Sequence, residues 1–235
     1  MVVASLTTIP PRIDNECRLA LDSLMSQVDQ VYLSVSQNYK RFGELILPHY
    51  LQQEPYVSNV TVVMGEDYGP ASKYLGALEH ILPQNDWVFV CDDDQEYHET
   101  LVKRMSEKAT DINCVYQNRH GIFEMYGTQG GYIHGFVGLF IHSSNLQHLM
   151  TFPLPECARF VDDQWMSVYC FIKNIPILPS GIEDYPSIYK VLNVHGFEKT
   201  GVEALANLGG RDNHIHMLAD FFGLIIQSTR ITKKP

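Results

Sequence analysis

Three consecutive acids, Asp92-Asp93-Asp94, close an apolar run, Trp87-Val88-Phe89-Val90-Cys91. Carboxylates side by side repel one another, and a cation or hydrogen-bond donors must offset that repulsion. Oxygen-only ligands suit Mg2+ or Mn2+, which take one or two carboxylates and fill their other positions with water or phosphate oxygens. The chemistry implied is a divalent metal held against a phosphate-bearing substrate. A solvated acidic turn is the plainer alternative. Asp92 and Asp94 are expected to point to opposite sides and do different jobs, one near a sugar or ribose and the other on the metal. Asp93 is expected to support them or to touch the sugar.

Three further groups could join this chemistry. In Val194-His195-Gly196-Phe197-Glu198-Lys199, His195 would supply a nitrogen ligand and Lys199 a cation for phosphate. An ordinary loop histidine is the competing reading, since the chain has ten. Asp162 and Asp163 open a helix, where acids stabilise the dipole whatever else they do. As chemistry, one of them would be a base or would accept a hydrogen bond from a sugar hydroxyl. Arg12 and the loop Asp67-Tyr68-Gly69-Pro70-Ala71-Ser72-Lys73 each follow a strand at the same edge as the acids. Lys73, in a helix's first turn, opposes the dipole and so needs a partner; phosphate at a helix N-terminus would be one. His134, His142, His214 and His216 read as structural or surface residues. Tyr126, Tyr132 and Phe136 read as core packing before they read as a sugar pocket.

The elements around these residues alternate. Met1 to Leu6 is a buried-type strand, broken by Pro10-Pro11. Apolar positions from Cys17 to Val28 recur at helical spacing, capped near Asp14 or Asn15. Val31 to Val35 and Val60 to Met64 are strands, and Ser72 to Leu82 is a helix. A short helix is expected around Glu44 to Leu51. Trp87 to Cys91 is the fourth strand, and Glu99 to Ala109 a helix. This β-loop-α-β order predicts a mainly parallel sheet flanked by helices. In such sheets ligands bind outside the carboxyl ends of the strands, where the acids lie.

The second half changes character. Ile112 to Gln117, Gly121 to Tyr126, Tyr132 to His134 and Val137 to His142 are short strand-like pieces among glycines. Ser144 to Met150 and Val161 to Lys173 read as helices. Leu178 to Asp184 reads as loop with strand at most, Ile188 to Val194 as a strand, and His214 to Gln227 as a last helix. The expected architecture is one α/β domain over 1–235. Residues 1–110 would form a nucleotide-sugar-binding half and 111–235 an acceptor-binding half.

The totals narrow the class. The 235 residues suffice for one sizeable core, and 45% hydrophobic with 19% charged content is ordinary for a soluble globular protein. A net charge of −10 argues against nucleic acid or an anionic membrane as a partner. Five scattered cysteines without a paired spacing read as free thiols of a reducing compartment. No transmembrane segment and no signal peptide is expected. A cytoplasmic protein, or a soluble domain of something larger, fits these features.

Ser5-Leu6-Thr7-Thr8-Ile9-Pro10-Pro11-Arg12, the Asp67–Lys73 loop and Asp92-Asp93-Asp94 together resemble the GT-A-fold glycosyltransferases. The similarity is to the small nucleotide-sugar-dependent enzymes of bacteria and large DNA viruses, including the chlorella-virus type. It runs from about residue 2 to 100 and resumes at Gly135–Phe140 and at Asp162-Asp163. The resemblance implies a GT-A (Rossmann-like) sheet and a nucleotide-diphospho-sugar donor, with a UDP-sugar expected. It implies Mn2+ or Mg2+ bridging the diphosphate to Asp94, with Asp92 on metal or ribose. Thr7, Thr8 and Arg12 would meet the base and ribose, Asp67 and Lys73 would lie near the nucleotide, and Asp163 or Asp162 would be the base. His195 with Lys199 resembles a late His-Gly-Lys element, with compressed spacing and no tryptophan. The implied activity is hexosyl or pentosyl transfer to a glycan or other hydroxyl. Its rivals are a sugar-nucleotide nucleotidyltransferase, which would want a Gly-rich first loop, a non-catalytic nucleotide- or sugar-binding module, and an aspartate phosphohydrolase, which would want its Asp after the first strand.

Overall fold

A computed structural model describes residues 1–118, 121–125, 128–135, 138–182, 189–191, 211–224 and 226–228. In chain order the first half contains β1 Val2–Thr7, α1 Glu16–Met25, β2 Gln30–Ser36, β3 Asn38–Tyr39 and β4 Gly43–Glu44. There follow α2 Tyr56–Asn59, β5 Val60–Gly65, α3 Ser72–Leu75, α4 Leu78–Ile81, β6 Trp87–Val90, β7 Gln95–Tyr97 and α5 Leu101–Lys108. The second half adds β8 Val115–Gln117, β9 Gly121–Met125, β10 Thr128–Tyr132, β11 Leu139–His142, α6 Asp162–Ile172 and β12 Ile177–Pro179. Last come β13 Tyr189–Val191, a helix Arg211–Phe221 and β14 Ile226–Ser228.

Seven strands form the central sheet in the order β12-β8-β11-β6-β1-β2-β5. β1 pairs in parallel with both β2 and β6, and β2 with β5. β11 alone runs against its neighbours β6 and β8, and β12 is parallel to β8. The sheet therefore draws strands from both halves of a single Rossmann-like α/β domain.

Alternate residues of each strand feed two separate cores. Val3, Val88, Val90 and Ile141 pack on one face with Tyr74, Leu78, Trp165 and Tyr169. Ala4, Leu6, Phe89, Cys91 and Phe140 pack on the other with Leu21, Leu24, Leu101 and Met105. Burial on both faces is why β6 reads as an unbroken apolar run rather than an alternation. Each fully buried large apolar side chain contributes about 1.5–3 kcal/mol relative to exposure.

Several expected elements differ. The helix expected over Ser72–Leu82 is broken at Gly76-Ala77 into α3 and α4. A Cβ on Gly76 would stand 2.5 Å from Ser34 Cβ, so the chain lies directly on β2 there. The helix expected over Glu44–Leu51 is instead β4 followed by a 3-10 turn, His49–Gln52. Pro48 precedes that turn in extended backbone, which a helix cannot accommodate. The segment expected as a helix over Ser144–Met150 forms two short 3-10 turns, Ser143–Leu146 and Leu149–Thr151. Asn15 caps α1 by position but makes no side-chain cap bond. All five cysteines are buried and free. Among the described residues, no helix is long and apolar enough to cross a membrane.

Candidate active site

β1 has its sequence neighbour β2 on one side and β6 on the other, which makes a topological switch point at their carboxyl ends. Thr8 and Arg12 leave β1 at this edge, and Asp92, Asp93 and Asp94 leave β6. Lys73 comes from α3, just after β5. Because β11 is antiparallel, Leu139 pairs with Val90, and the chain entering β11 also arrives here. Asp162 and Asp163 begin α6.

Two cation-centred groups result. Arg12 Nη1 lies 2.8 Å from Asp93 Oδ1 and 3.1 Å from Asp94 Oδ2. Thr8 Oγ1 donates to Asp93 Oδ2 at 2.6 Å, so both oxygens of this buried acid have partners. Burial works against the Arg12 charge, but Asp93 and Asp94 outweigh it and hold the guanidinium protonated. In the second group, Lys73 Nζ lies 2.7 Å from Asp92 Oδ1, 2.9 Å from Asp162 Oδ2 and 3.3 Å from Asp163 Oδ1. The Lys73 side chain is only 3% exposed. Burial again opposes its charge, and Asp162, Asp163 and Asp92 raise its pKa well above the usual lysine value.

The two acids of α6 are held differently. Asp163 accepts from Gly135 N at 2.9 Å, and from Tyr74 Oη and Lys73 Nζ, each at 3.3 Å. Ser167 Oγ secures its backbone carbonyl at 2.7 Å. Asp162 Oδ2 is within ion-pair reach of Lys73 but lacks a well-directed hydrogen bond. Burial pushes the Asp162 carboxyl up to about 6; Lys73 opposes the rise, and Asp163 and Asp92 add to it. Asp94 is likewise raised to about 6, first by burial and then by Asp93, against the pull of Arg12.

Asp92 and Asp94 do diverge, towards Lys73 and Arg12 respectively. Strand alternation is not the reason, since it would place residues two apart on one face. The strand ends at Val90, and the following turn separates them. Thr8 and Arg12 occupy both oxygens of Asp93. Thr7 Oγ1 donates to Ser34 O at 2.7 Å, tying β1 to β2. The Asp67 carboxylate accepts from Gly69 N and Lys40 N, each at 2.9 Å, and so fixes the loop backbone. Lys73 is surrounded by acids, which meets its need for a partner without phosphate. His195 and Lys199 lie outside the described residues. Sequence reasoning missed Tyr74, Gly135, Gln95 and Tyr97. Gln95 Nε2 donates to Asp94 Oδ1 at 3.0 Å, and Tyr97 Oη to Asp92 O at 3.0 Å.

Carboxylate oxygens are the ligand type that hard divalent cations take. Asp92 and Asp94 side chains are each 29% exposed, and five carboxylates face two cations across the two groups. No group of three or more His, Cys, Asp or Glu among the described residues is arranged to hold a metal ion. Asp92 and Asp94 turn to different cations, and both Asp94 oxygens already have partners, Arg12 and Gln95.

No protein-family model matches this chain, and no curated protein does. Solved structures are similar to it in part. HddC from Yersinia pseudotuberculosis, complexed with GMP-PN, is 18% identical at TM-score 0.41, covering 65% of this chain and 79% of that one. A second HddC structure from that organism is 13% identical at TM-score 0.46, over 88% and 99%. The 4-diphosphocytidyl-2C-methyl-D-erythritol synthase of Anaerococcus prevotii is 10% identical at TM-score 0.50, over 88% and 98%. At 10% identity the likeness to this last structure is one of fold.

Proposed function

We propose that the chain is a metal-assisted transferase acting on a nucleotide-diphospho-sugar, and that it moves the sugar to a glycan or other hydroxyl acceptor. The observation carrying this is the placement of Lys73 between the acids that follow β6 and the acid pair that opens α6. One side offers carboxylates for a cation; the other offers carboxylates for a hydroxyl.

Asp94 and Asp92 would hold Mn2+ or Mg2+. Bound there, the ion supplies Lewis-acid stabilisation of the charge that grows on the leaving diphosphate. Arg12 and Thr8 hold Asp93, and Arg12 also orients Asp94. Thr7, Thr8 and Arg12 line the end of β1, the position read for the base and ribose. Lys73 keeps Asp92, Asp162 and Asp163 close together despite their repulsion. Asp163 or Asp162 accepts the proton of the attacking hydroxyl or aligns it. A UDP-sugar donor rests on the sequence resemblance, as do the roles of His195 and Lys199.

A second reading, nucleotidyl transfer that makes a nucleotide sugar, is favoured by one observation. The fold neighbour at TM-score 0.50 is named as a synthase of a diphosphocytidyl compound. That neighbour fits this reading better than the first. Against it, Thr7 to Arg12 contains no glycine to cradle a triphosphate. Product analysis separates the two. Nucleoside diphosphate released from a nucleotide sugar supports the first reading. Pyrophosphate released from a nucleoside triphosphate and a sugar phosphate supports the second. Release of neither product overturns both readings. If Asp163 is the base, Asp163→Asn lowers turnover by about 100- to 10,000-fold and keeps donor binding.

A further inference from the structure

Gly135 touches the acid–lysine group more closely than any side chain would allow. A Cβ built on it would stand 2.5 Å from Asp163 Oδ1, 2.8 Å from Lys73 Nζ and 3.2 Å from Tyr74 Oη. The first two distances are shorter than real Cβ contacts, so an added methyl must displace something. The atoms it meets are a carboxylate oxygen and an ammonium nitrogen, the far ends of side chains rather than backbone. Alanine at this position would therefore move the charged groups and leave the chain's path intact.

The backbone gives no competing reason for glycine here. Gly135 lies outside the left-handed region that favours glycine. Gly138, three residues on, is the contrasting case. Its φ is +87°, and a Cβ there would stand 2.3 Å from the Phe89 ring in the core. Gly138 serves the fold, whereas the constraint at Gly135 comes from Asp163 and Lys73.

We propose that Gly135 is a positioning residue for Asp163. Its amide donates to Asp163 Oδ2 at 2.9 Å, and its missing side chain lets Oδ1 sit between Lys73 and Tyr74. One oxygen is held by backbone and the other by two side chains, which fixes the plane of the carboxylate. Ile133 N donates to Ser167 Oγ at 2.9 Å, and Ser167 Oγ donates to Asp163 O at 2.7 Å. The segment leading to Gly135 is thereby tied to the same turn of α6. Displacement of a positioned group by about 1 Å can lower a rate by about 100-fold. The kinetic consequence rests on the transfer reaction proposed above; the geometric one does not.

The test compares Gly135→Ala, Asp163→Asn and the double variant, using whichever product release the wild-type chain shows. Gly135→Ala is expected to lower kcat by about 10- to 100-fold, with KM for the nucleotide substrate changed by less than about twofold. In the Asp163→Asn background it should add less than about twofold, because both changes act through one carboxylate. A crystal structure of Gly135→Ala should show the carboxylate drawn away from the residue-135 amide. Gly138→Ala should lower the melting temperature while folded molecules keep their kcat. Independent, additive losses at 135 and 163 would overturn the proposal. So would an undisplaced carboxylate, or a Gly135→Ala chain that fails to fold. If the wild type releases neither product, the transfer reading fails, and the crystal structure still decides the role of Gly135.

Discussion

Lys73 Nζ stands 2.7 Å from Asp92 Oδ1, joining the turn after β5 to the turn after β6 across the end of β1. The same ammonium reaches Asp162 and Asp163 at the start of α6, and so one buried charge holds three segments together. Replacing it with a methionine of similar length leaves acids facing one another without a cation. Breaking a buried pair in this way costs about 3–5 kcal/mol, and the partial exposure of Asp92 places the effect near the lower end. Lys73→Met should accordingly lower the urea unfolding free energy by about 3 kcal/mol. An effect below about 1 kcal/mol would mean that the acids are relieved some other way.

The acid triplet should divide by function. Asp94→Ala is expected to abolish Mn2+-dependent nucleotide binding while the circular dichroism spectrum and melting temperature stay close to wild type. Asp93→Ala should do the reverse first, because it strips Arg12 and Thr8 of a buried partner. Its loss of stability is expected to be about 3 kcal/mol. Calorimetric titration and thermal melts of both variants distinguish a ligand from a support.

Thr8→Val tests the same support from the other end. It removes the donor at 2.6 Å from Asp93 Oδ2 and leaves that oxygen buried. The expected cost is about 1–3 kcal/mol by denaturant unfolding. Thr7→Val removes a hydrogen bond to Ser34 O at a partly buried position and should cost about 1 kcal/mol.

A pH effect is expected away from the site. Burial lowers the His142 pKa from its ordinary 6.5, against smaller raising effects from Asn85 and Asp86. The unfolded chain then takes up a proton before the folded one does as pH falls. Stability contributed by neutral His142 is present above 6.5 and is lost as pH falls through that value towards the lower folded pKa. His142→Gln should therefore flatten the fall in urea midpoint between about pH 7.5 and about pH 5.5. An identical fall in both proteins would assign it elsewhere.

Much of the parallel half was legible because its signals are local. β6 is apolar on both faces and ends in acids, and α1 repeats its apolar positions at helical spacing. The break at Gly76 was not legible, since it follows from contact with Ser34 on another strand. The antiparallel placement of β11 between β6 and β8 is a choice among distant strands, which periodicity does not encode. The site shows the same division. Arg12, Lys73 and the acids stood out by charge. Lys73 and Asp163 are 90 residues apart, so their pairing was hidden, and its cost was read as a need for phosphate. Gly135 carries no side chain, and Tyr74 reads as core. Asp67 looked like a ligand for nucleotide, whereas its carboxylate caps its own loop.

The most direct measurement is calorimetric titration of a panel of nucleotide sugars into the wild-type chain, with Mn2+ and with a chelator, paired with an assay for released nucleoside diphosphate. The expected result is binding of at least one nucleotide sugar, UDP-sugars first, that needs the metal and disappears in Asp94→Ala, together with nucleoside diphosphate release. No binding of any nucleotide sugar in the presence of metal, by a chain that melts cooperatively, would contradict the proposed function.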